Sequence, residues 1–329
     1  MLRVHFTAHD LARVRVAPGP DYLWEISNSI QTLQRQDGVR EFGEWRRWAR
    51  PRLPDSCRLL APLLPPRGDS PDFLTPTHGD RATLQAAVDT LVRTPRPRLH
   101  ADLARVAAAR RLPGWTRTLA GGDADTLREL GRAVRAYHGE ALAPFWRRIH
   151  AHVDADRAVR LRSLLDGGTE GLLEGLGPRF RWRPPVLEAD YPVDHQLHLE
   201  GRGLVLQPSF FCWPTPITLA DGGLPPVLVY PIGHAADWTR AARHAPPDDG
   251  PLGPLLGHTR AAVLRATRTG ASTVELARLL AVTHPAVSQH VKVLRAAGLV
   301  TTVRRAGRSL HVATAEGRAL LRGGGHGPL

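Results

Sequence analysis

The sequence predicts an α+β fold, and three observations lead there. Apolar residues recur at the 3.6-residue period of helices through most of the first 176 residues. From 177 to 244 they alternate or run in short stretches, as strands do. After 253 the helical period returns and gives way to a basic hairpin. The expected order is a mainly helical region over 1–176 and a small antiparallel β-meander over 177–244. A linker over 245–252, a compact helix–turn–helix–hairpin domain over 253–322 and a disordered tail over 323–329 follow.

In the helical region, Met1–Thr7 alternates and opens as a strand. Helical spacing covers Tyr22–Gln36 and Glu41–Ala49, where Pro51 and Pro54 then break the pattern. It returns over Ala82–Val92, Leu99–Arg110, Thr126–Tyr137, Ala141–His150 and Asp156–Leu165. Gly121-Gly122-Asp123 and Gly167-Gly168-Thr169 fall between helices as turns. Neither follows a strand or has the spacing of a phosphate loop, so no nucleotide cofactor is expected. Four strand candidates follow: Arg179–Asp190, Gln196–Glu200, Gly203–Phe211 and Pro226–Ile232, with Gly201-Arg202-Gly203 as a hairpin turn. Ala245-Pro246-Pro247-Asp248-Asp249-Gly250 has the composition of a linker.

The last domain is the most specific. Ser272 and Glu275 form a capping-box pattern at a helix start. Ala281-Val282-Thr283 is a short turn, Thr283 an N-cap, and Pro285 sits in the next first turn, where its missing N–H does no harm. Val287, Val291 and Leu294 share the buried face of that second helix; Ala297-Gly298 ends it. Leu299–Val303 and Leu310–Ala313 are strands around an Arg304-Arg305-Ala306-Gly307-Arg308 turn. This is the order of a winged helix-turn-helix, whose second helix fits the major groove of DNA. His284, Ser288 and Gln289 are the candidates for base edges, and Gln pairs bidentately with adenine. Thr283, Lys292 and Arg295, with Arg304, Arg305 and Arg308 of the wing, are candidates for phosphate or the minor groove. Arg260 is read either as a structural ion pair or as a backbone contact.

Charge agrees. Residues 251–329 hold ten arginines and Lys292 against Glu275 and Glu316, a net +9 of the chain's +13. The other 250 residues carry only +4. An excess on one small domain is the footprint of a nucleic-acid partner. Lys292 is the only lysine, a bias toward arginine that fits a high-GC genome.

These residues resemble a known family. Thr259-Arg260…Leu264, Glu275-Leu276-Ala277, the run from Ala286 to Val300 (AVSQHVKVLRAAGLV) and Arg305…Gly307-Arg308 are similar to the winged helix of ArsR/SmtB-type bacterial regulators. The resemblance covers about the last quarter of the chain. It implies a homodimeric repressor that leaves its operator when an effector binds. Metal-sensing members place paired cysteines on the first helix of the pair. Here Val274–Leu280 holds neither Cys nor His, so metal sensing does not carry over and no metal site is expected. Asp10–Arg15 and Gly203–Phe210 resemble an uncharacterised domain that precedes such winged helices in high-GC bacteria.

No catalytic residues are expected. His195 and His198 are i and i+3 on a strand and point to opposite faces. Cys212, in Phe210-Phe211-Cys212-Trp213, has no ordered histidine partner in the sequence. All eight tryptophans precede the winged helix; they read as core, or as an aromatic-lined effector pocket. The 42% apolar content builds real cores and excludes a disordered chain. Two cysteines, Cys57 and Cys212, fit a reducing cytosol rather than a disulfide framework. The N-terminal stretch has no hydrophobic core of a signal peptide, and no apolar run of about 18 residues predicts a membrane span.

The expected function is therefore a cytoplasmic, dimeric, sequence-specific DNA-binding regulator of the repressor type. Its partners are a near-palindromic double-stranded operator and a small-molecule, non-metal effector acting through the front region. The alternatives are an enzyme or ligand-binding protein with an accessory winged helix, and an architectural DNA binder. Turnover by residues 1–245 would mark the first, and uniform affinity for any duplex the second.

Overall fold

Leu2 and Val4 alternate with Arg3 and His5, and that alternation buries the first pair in a strand, β1 (Leu2–His5), at the heart of the first sheet. The computed structural model describes residues 1–76, 83–234, 238–239, 252–268, 270–280, 282–305 and 308–323. The chain divides into two compact units, Met1–Arg243 and His244–Leu329.

In the first unit, β1 is followed by α1 (Ala8–Leu11), β2 (Arg15–Val16), α2 (Tyr22–Gln34) and α3 (Val39–Ala49). Short 3-10 turns then lead to α4 (Leu84–Val92), α5 (Arg96–Ala109), α6 (Trp115–Ala120), α7 (Ala124–Tyr137) and α8 (Trp146–Glu174). A π-helical turn at His138–Leu142 joins α7 to the approach of α8. The expected helices 141–150 and 156–165 are joined without a break from Trp146 onward, and the turn expected at Gly167-Gly168-Thr169 falls where Gly167 and Gly168 leave helical geometry and kink α8. The strands are β3 (Phe180–Arg183), β4 (Val186–Ala189), β5 (His195–His198), β6 (Val205–Ser209), β7 (Ile217–Thr218) and β8 (Val227–Pro231).

The α+β class holds, but these strands do not form one antiparallel meander. They divide between two four-stranded mixed sheets, ordered β3-β4-β1-β5 and β2-β6-β8-β7. Each sheet takes a strand from the N-terminus: β1 runs antiparallel to β4 and parallel to β5, and β2 runs parallel to β6. The stretch Arg179–Asp190 is a hairpin, turned at Pro184-Pro185. Gly201-Arg202-Gly203 is not a hairpin turn, because β5 and β6 lie in different sheets.

The physical reason lies in α1. Asp10 is fully buried, and its carboxylate accepts from the Thr7 hydroxyl and N–H and from the N–H of Gly203 at 2.9 Å. Burial opposes that charge, but these hydrogen bonds outweigh it and leave the carboxyl below its ordinary value. Gly203 has φ +73°, and a Cβ there would lie 2.5 Å from Cβ of Arg13. Only glycine lets the two segments meet so closely. The Asp10–Arg15 and Gly203–Phe210 patterns, far apart in sequence, are thus two halves of one junction.

A single cluster runs from Leu2 and Val4 through Phe42, Trp45, Tyr137 and Phe145 to Phe210, Phe211 and Tyr230. The helical and β portions share this core, so the boundary expected at 176/177 does not separate two units.

The second unit contains α9 (Leu252–Leu256), α10 (His258–Ala266), β9 (Ala271–Ser272), α11 (Thr273–Leu280) and α12 (His284–Ala296). β10 (Val300–Arg305), β11 (Arg308–Ala313) and α13 (Ala315–Gly323) complete it. Val263, Leu264, Leu276, Val287, Val291, Leu294 and Val300 fill its own core. Residue 252, expected in the linker, begins α9, and Gly323, expected in the tail, ends α13. The rest of that linker, the rest of that tail, Ala281 and the Ala306-Gly307 turn lie outside the described residues.

Candidate nucleic-acid interface

Three local devices position α12. The Ser272–Glu275 capping box is formed: Ser272 N–H donates to Glu275 Oε2 at 2.7 Å, and Glu275 N–H donates to Ser272 Oγ at 3.3 Å. Thr283 caps α12 by accepting from Ala286 N–H, and Pro285 sits in its first turn. At the other end, Gly298 N–H reaches Arg295 O at 3.0 Å and Leu299 N–H reaches Leu294 O at 2.9 Å. That pair of hydrogen bonds is a Schellman motif, and Gly298 takes the left-handed φ of +71° that it needs. The helix ends there, and the chain turns directly into β10.

The buried face of α12 is Val287, Val291 and Leu294. Thr283, His284, Ser288, Gln289, Lys292 and Arg295 are all exposed. His284, Ser288, Lys292 and Arg295 follow i, i+4, i+8 and i+11, one stripe along the helix, with Gln289 beside it. The structure therefore brings the five candidates within α12 onto one accessible side, with Thr283 exposed at its N-cap. Lys292, Arg295 and Ala296 border a shallow groove closed by Val300 and Thr301 of β10. Two cations beside a groove suit a backbone phosphate.

The wing is a hairpin in which β10 pairs antiparallel with β11, and β9 adds a third strand outside β11. Its strands extend further than the sequence reading allowed. Arg304 is paired with Ser309, and Arg305 with Arg308, so all three arginines lie in the strands at the tip. Arg260 is exposed and has no acidic partner among the described residues.

Two residues were missed by sequence reasoning. Val293 is 38% exposed on α12, next to Gln289 and Lys292. The V-K-V spacing carries the signal, because Val291 is buried and its neighbour two residues on must face away. An exposed apolar group among candidate base contacts has the chemistry to meet a thymine methyl. The other is His311 on β11, only 6% exposed. Its Nδ1 is 2.9 Å from Thr302 Oγ1 of β10, and its Nε2 is 3.0 Å from Thr273 Oγ1 of α11. It links the wing to the helix pair, a long-range role with no local sequence signature.

Burial, with a smaller contribution from the Arg295 guanidinium, lowers the His311 pKa below its ordinary 6.5. The folded domain then binds fewer protons than the unfolded chain, so this contribution to stability is present above pH 6.5 and is lost as pH falls below it. We expect the wild-type winged helix to lose stability between pH 7 and pH 5 relative to His311→Phe, read as the difference in urea midpoints. Parallel losses in both proteins would disprove the assignment.

Outside this domain, the catalytic candidates separate. His198 is exposed and stacks on His5 at 4.3 Å, while His195 faces Tyr191. Cys212 is buried; burial pushes its thiol well above the usual value, and its Sγ–H donates to Thr215 O. Among the described residues, no group of three or more His, Cys, Asp or Glu is arranged to hold a metal ion. No helix among them is long and apolar enough to cross a membrane.

Residues 258–303 match the family model of a helix-turn-helix domain. No curated protein and no solved structure matches the chain.

Proposed function

We propose that the protein is a dimeric, sequence-specific transcriptional repressor of the ArsR/SmtB type, acting in the cytoplasm and responding through its first unit to a non-metal effector. The observation that carries this reading is the exposed face of α12, which sets base-reading Ser288, Gln289 and Val293 beside the cations Lys292 and Arg295 and holds no acid. An architectural binder needs the cations but not the readers. The absence of Cys and His from α11 supports a non-metal signal.

Selection of duplexes from a random pool by the full chain tests the proposal. The enriched sequences should contain two related half-sites. On the enriched duplex, Gln289→Ala should relax preference at one position by about 1–3 kcal/mol. Lys292→Ala should weaken all sequences alike and reduce the salt slope by about one unit. No enrichment over random sequence would sink the proposal, and so would a Gln289→Ala profile identical to wild type.

A further inference from the structure

A cavity of about 350 Å³ opens in the first unit between the start of α3, the turn from α8 into β3, and the segments beside β7 and β8. That volume is at the small end of organic-ligand sites and holds one or two fused rings.

Its charges are unbalanced. Arg40 and Arg179 line it against a single carboxylate, Glu41. Arg40 has no ion pair among the described residues, and Arg179 pairs only with solvent-exposed Asp190, at 3.5 Å. The adjoining N-terminus of α3 is capped by Gly38, which offers no side-chain oxygen. Asp37, the nearest acid before it, is held by the guanidinium groups of Arg35 and Arg67. The start of α3 therefore favours an anion with both its dipole and its first arginine.

The remaining walls are largely apolar, with Leu176, Ile232, Pro178, Pro214 and Pro231 beside two aromatic side chains. Trp213 and Phe180 present ring surface to the cavity. The Arg35 guanidinium lies over the Trp213 indole at 5.2 Å, and Phe42 packs against it in a T-shaped pair. His234 also lines the cavity. Its Nε2 lies 2.7 Å from the carbonyl of Phe210, which can only accept, so Nε2 carries the proton. Burial lowers its pKa below the ordinary 6.5 and favours the neutral ring, in which Nδ1 is an acceptor.

We propose that this cavity binds a small aromatic monocarboxylate bearing a hydroxyl or N–H donor, with its carboxylate on Arg40 and Arg179, its ring against Trp213 and its donor toward His234. This names the chemistry of the effector in the repressor reading, yet binding at the site does not depend on that reading.

The test uses the intact chain without DNA. Salicylate, 4-hydroxybenzoate and indole-2-carboxylate are titrated by calorimetry and tryptophan fluorescence, beside salicylamide, 4-hydroxybenzamide and indole-2-carboxamide. At least one carboxylate should bind at about millimolar Kd or tighter, and its amide about tenfold more weakly or worse. Arg40→Gln, at an exposed position, should cost about tenfold in affinity with an unchanged melting temperature. No binding by any of the three acids overturns the proposal, as does an amide that binds as well as its acid, or an Arg40→Gln variant that binds as wild type. A DNA-binding measurement on the same samples separates the two readings. A bound carboxylate that leaves DNA affinity unchanged keeps the site and removes its role as effector; loss of the repressor reading leaves the carboxylate result intact.

Discussion

Replacing Glu25 with alanine is expected to destabilise the first unit by about 2–6 kcal/mol, a large part of the total stability of an ordinary domain. Glu25 is completely buried on α2. Its Oε1 accepts from Phe210 N–H at 2.7 Å and its Oε2 from Phe211 N–H at 3.0 Å. These N–H groups follow the end of β6, where no ladder partner takes them. Alanine leaves both unsatisfied in the core, at about 1–3 kcal/mol each. Urea unfolding of the two proteins measures it, and a loss under about 1 kcal/mol would show that the loop finds other acceptors.

The same carboxylate leaves a pH signature. Burial raises its pKa from 4.5 to about 7, against the opposing hydrogen bonds from Phe210, Phe211 and Ser209. The folded chain therefore holds a proton that the unfolded chain releases between those values. This stabilising contribution is fully present below pH 4.5 and is lost as pH rises through about 7. Glu25→Gln has no such proton. Between pH 5 and pH 8 wild type should lose stability relative to Glu25→Gln, and a constant difference across that range would contradict the assignment.

Legibility of the fold in the sequence followed the range of the interactions. The winged helix was readable almost residue by residue, because its signals are local: a cap three residues from its partner, a proline in a first turn, a glycine after a last turn. Although α1 and α6 are too short to show a helical period and α8 continues past Leu165 to Glu174, most helices of the first unit were legible in place to within a few residues. The sheets were not. Period-2 alternation identified strands near 180, 196, 205 and 227, but alternation carries no information about partners. Pairing was decided by Asp10 and Gly203, almost two hundred residues apart, and no local pattern announces a carboxylate that will accept from a distant turn. Within the interface, the exposed stripe from His284 to Arg295 followed from helical spacing. His311 did not, since its role depends on threonines from two other elements. Sequence alone left Trp213 between core and pocket; its half-exposed place at the cavity depends on packing between α3 and the β7 region.

Dimerisation carries the largest expected effect on DNA binding. One winged helix reads one half-site, and specific affinity is reached when two are joined. We expect residues 251–329 alone to be monomeric or weakly dimeric, and to bind a two-half-site duplex about a hundredfold more weakly than the full chain, which forms a stable dimer. The exposed apolar side chains of the second unit, among them Val274, Leu279, Val303 and Leu310, are spread over α11 and the wing, and its flanking helices have little apolar surface left for a partner. Leu256, Leu320 and Leu321, on the helices flanking the winged core, are already packed against it. Leu255 is exposed, but it stands on a five-residue helix. An obligate interface buries on the order of 2,000 Å² or more, beyond what these elements offer. The first unit gathers most of its own on one helix. Val159, Leu161, Leu164 and Leu165 are 55%, 46%, 37% and 84% exposed within two turns of α8. Such a concentration on a helix marks a contact surface, and a second copy of the chain is the partner that two half-sites require. Leu161→Asp with Leu165→Asp should therefore dissociate the full chain and lower operator affinity while leaving its melting temperature within a few degrees, because neither side chain enters the core. Sedimentation of the isolated domain, the full chain and this double variant at micromolar concentration decides the matter. A tightly dimeric isolated winged helix, or a monomeric full chain, would refute dimerisation through the first unit. A dimer unaffected by the two aspartates would move the contact off α8.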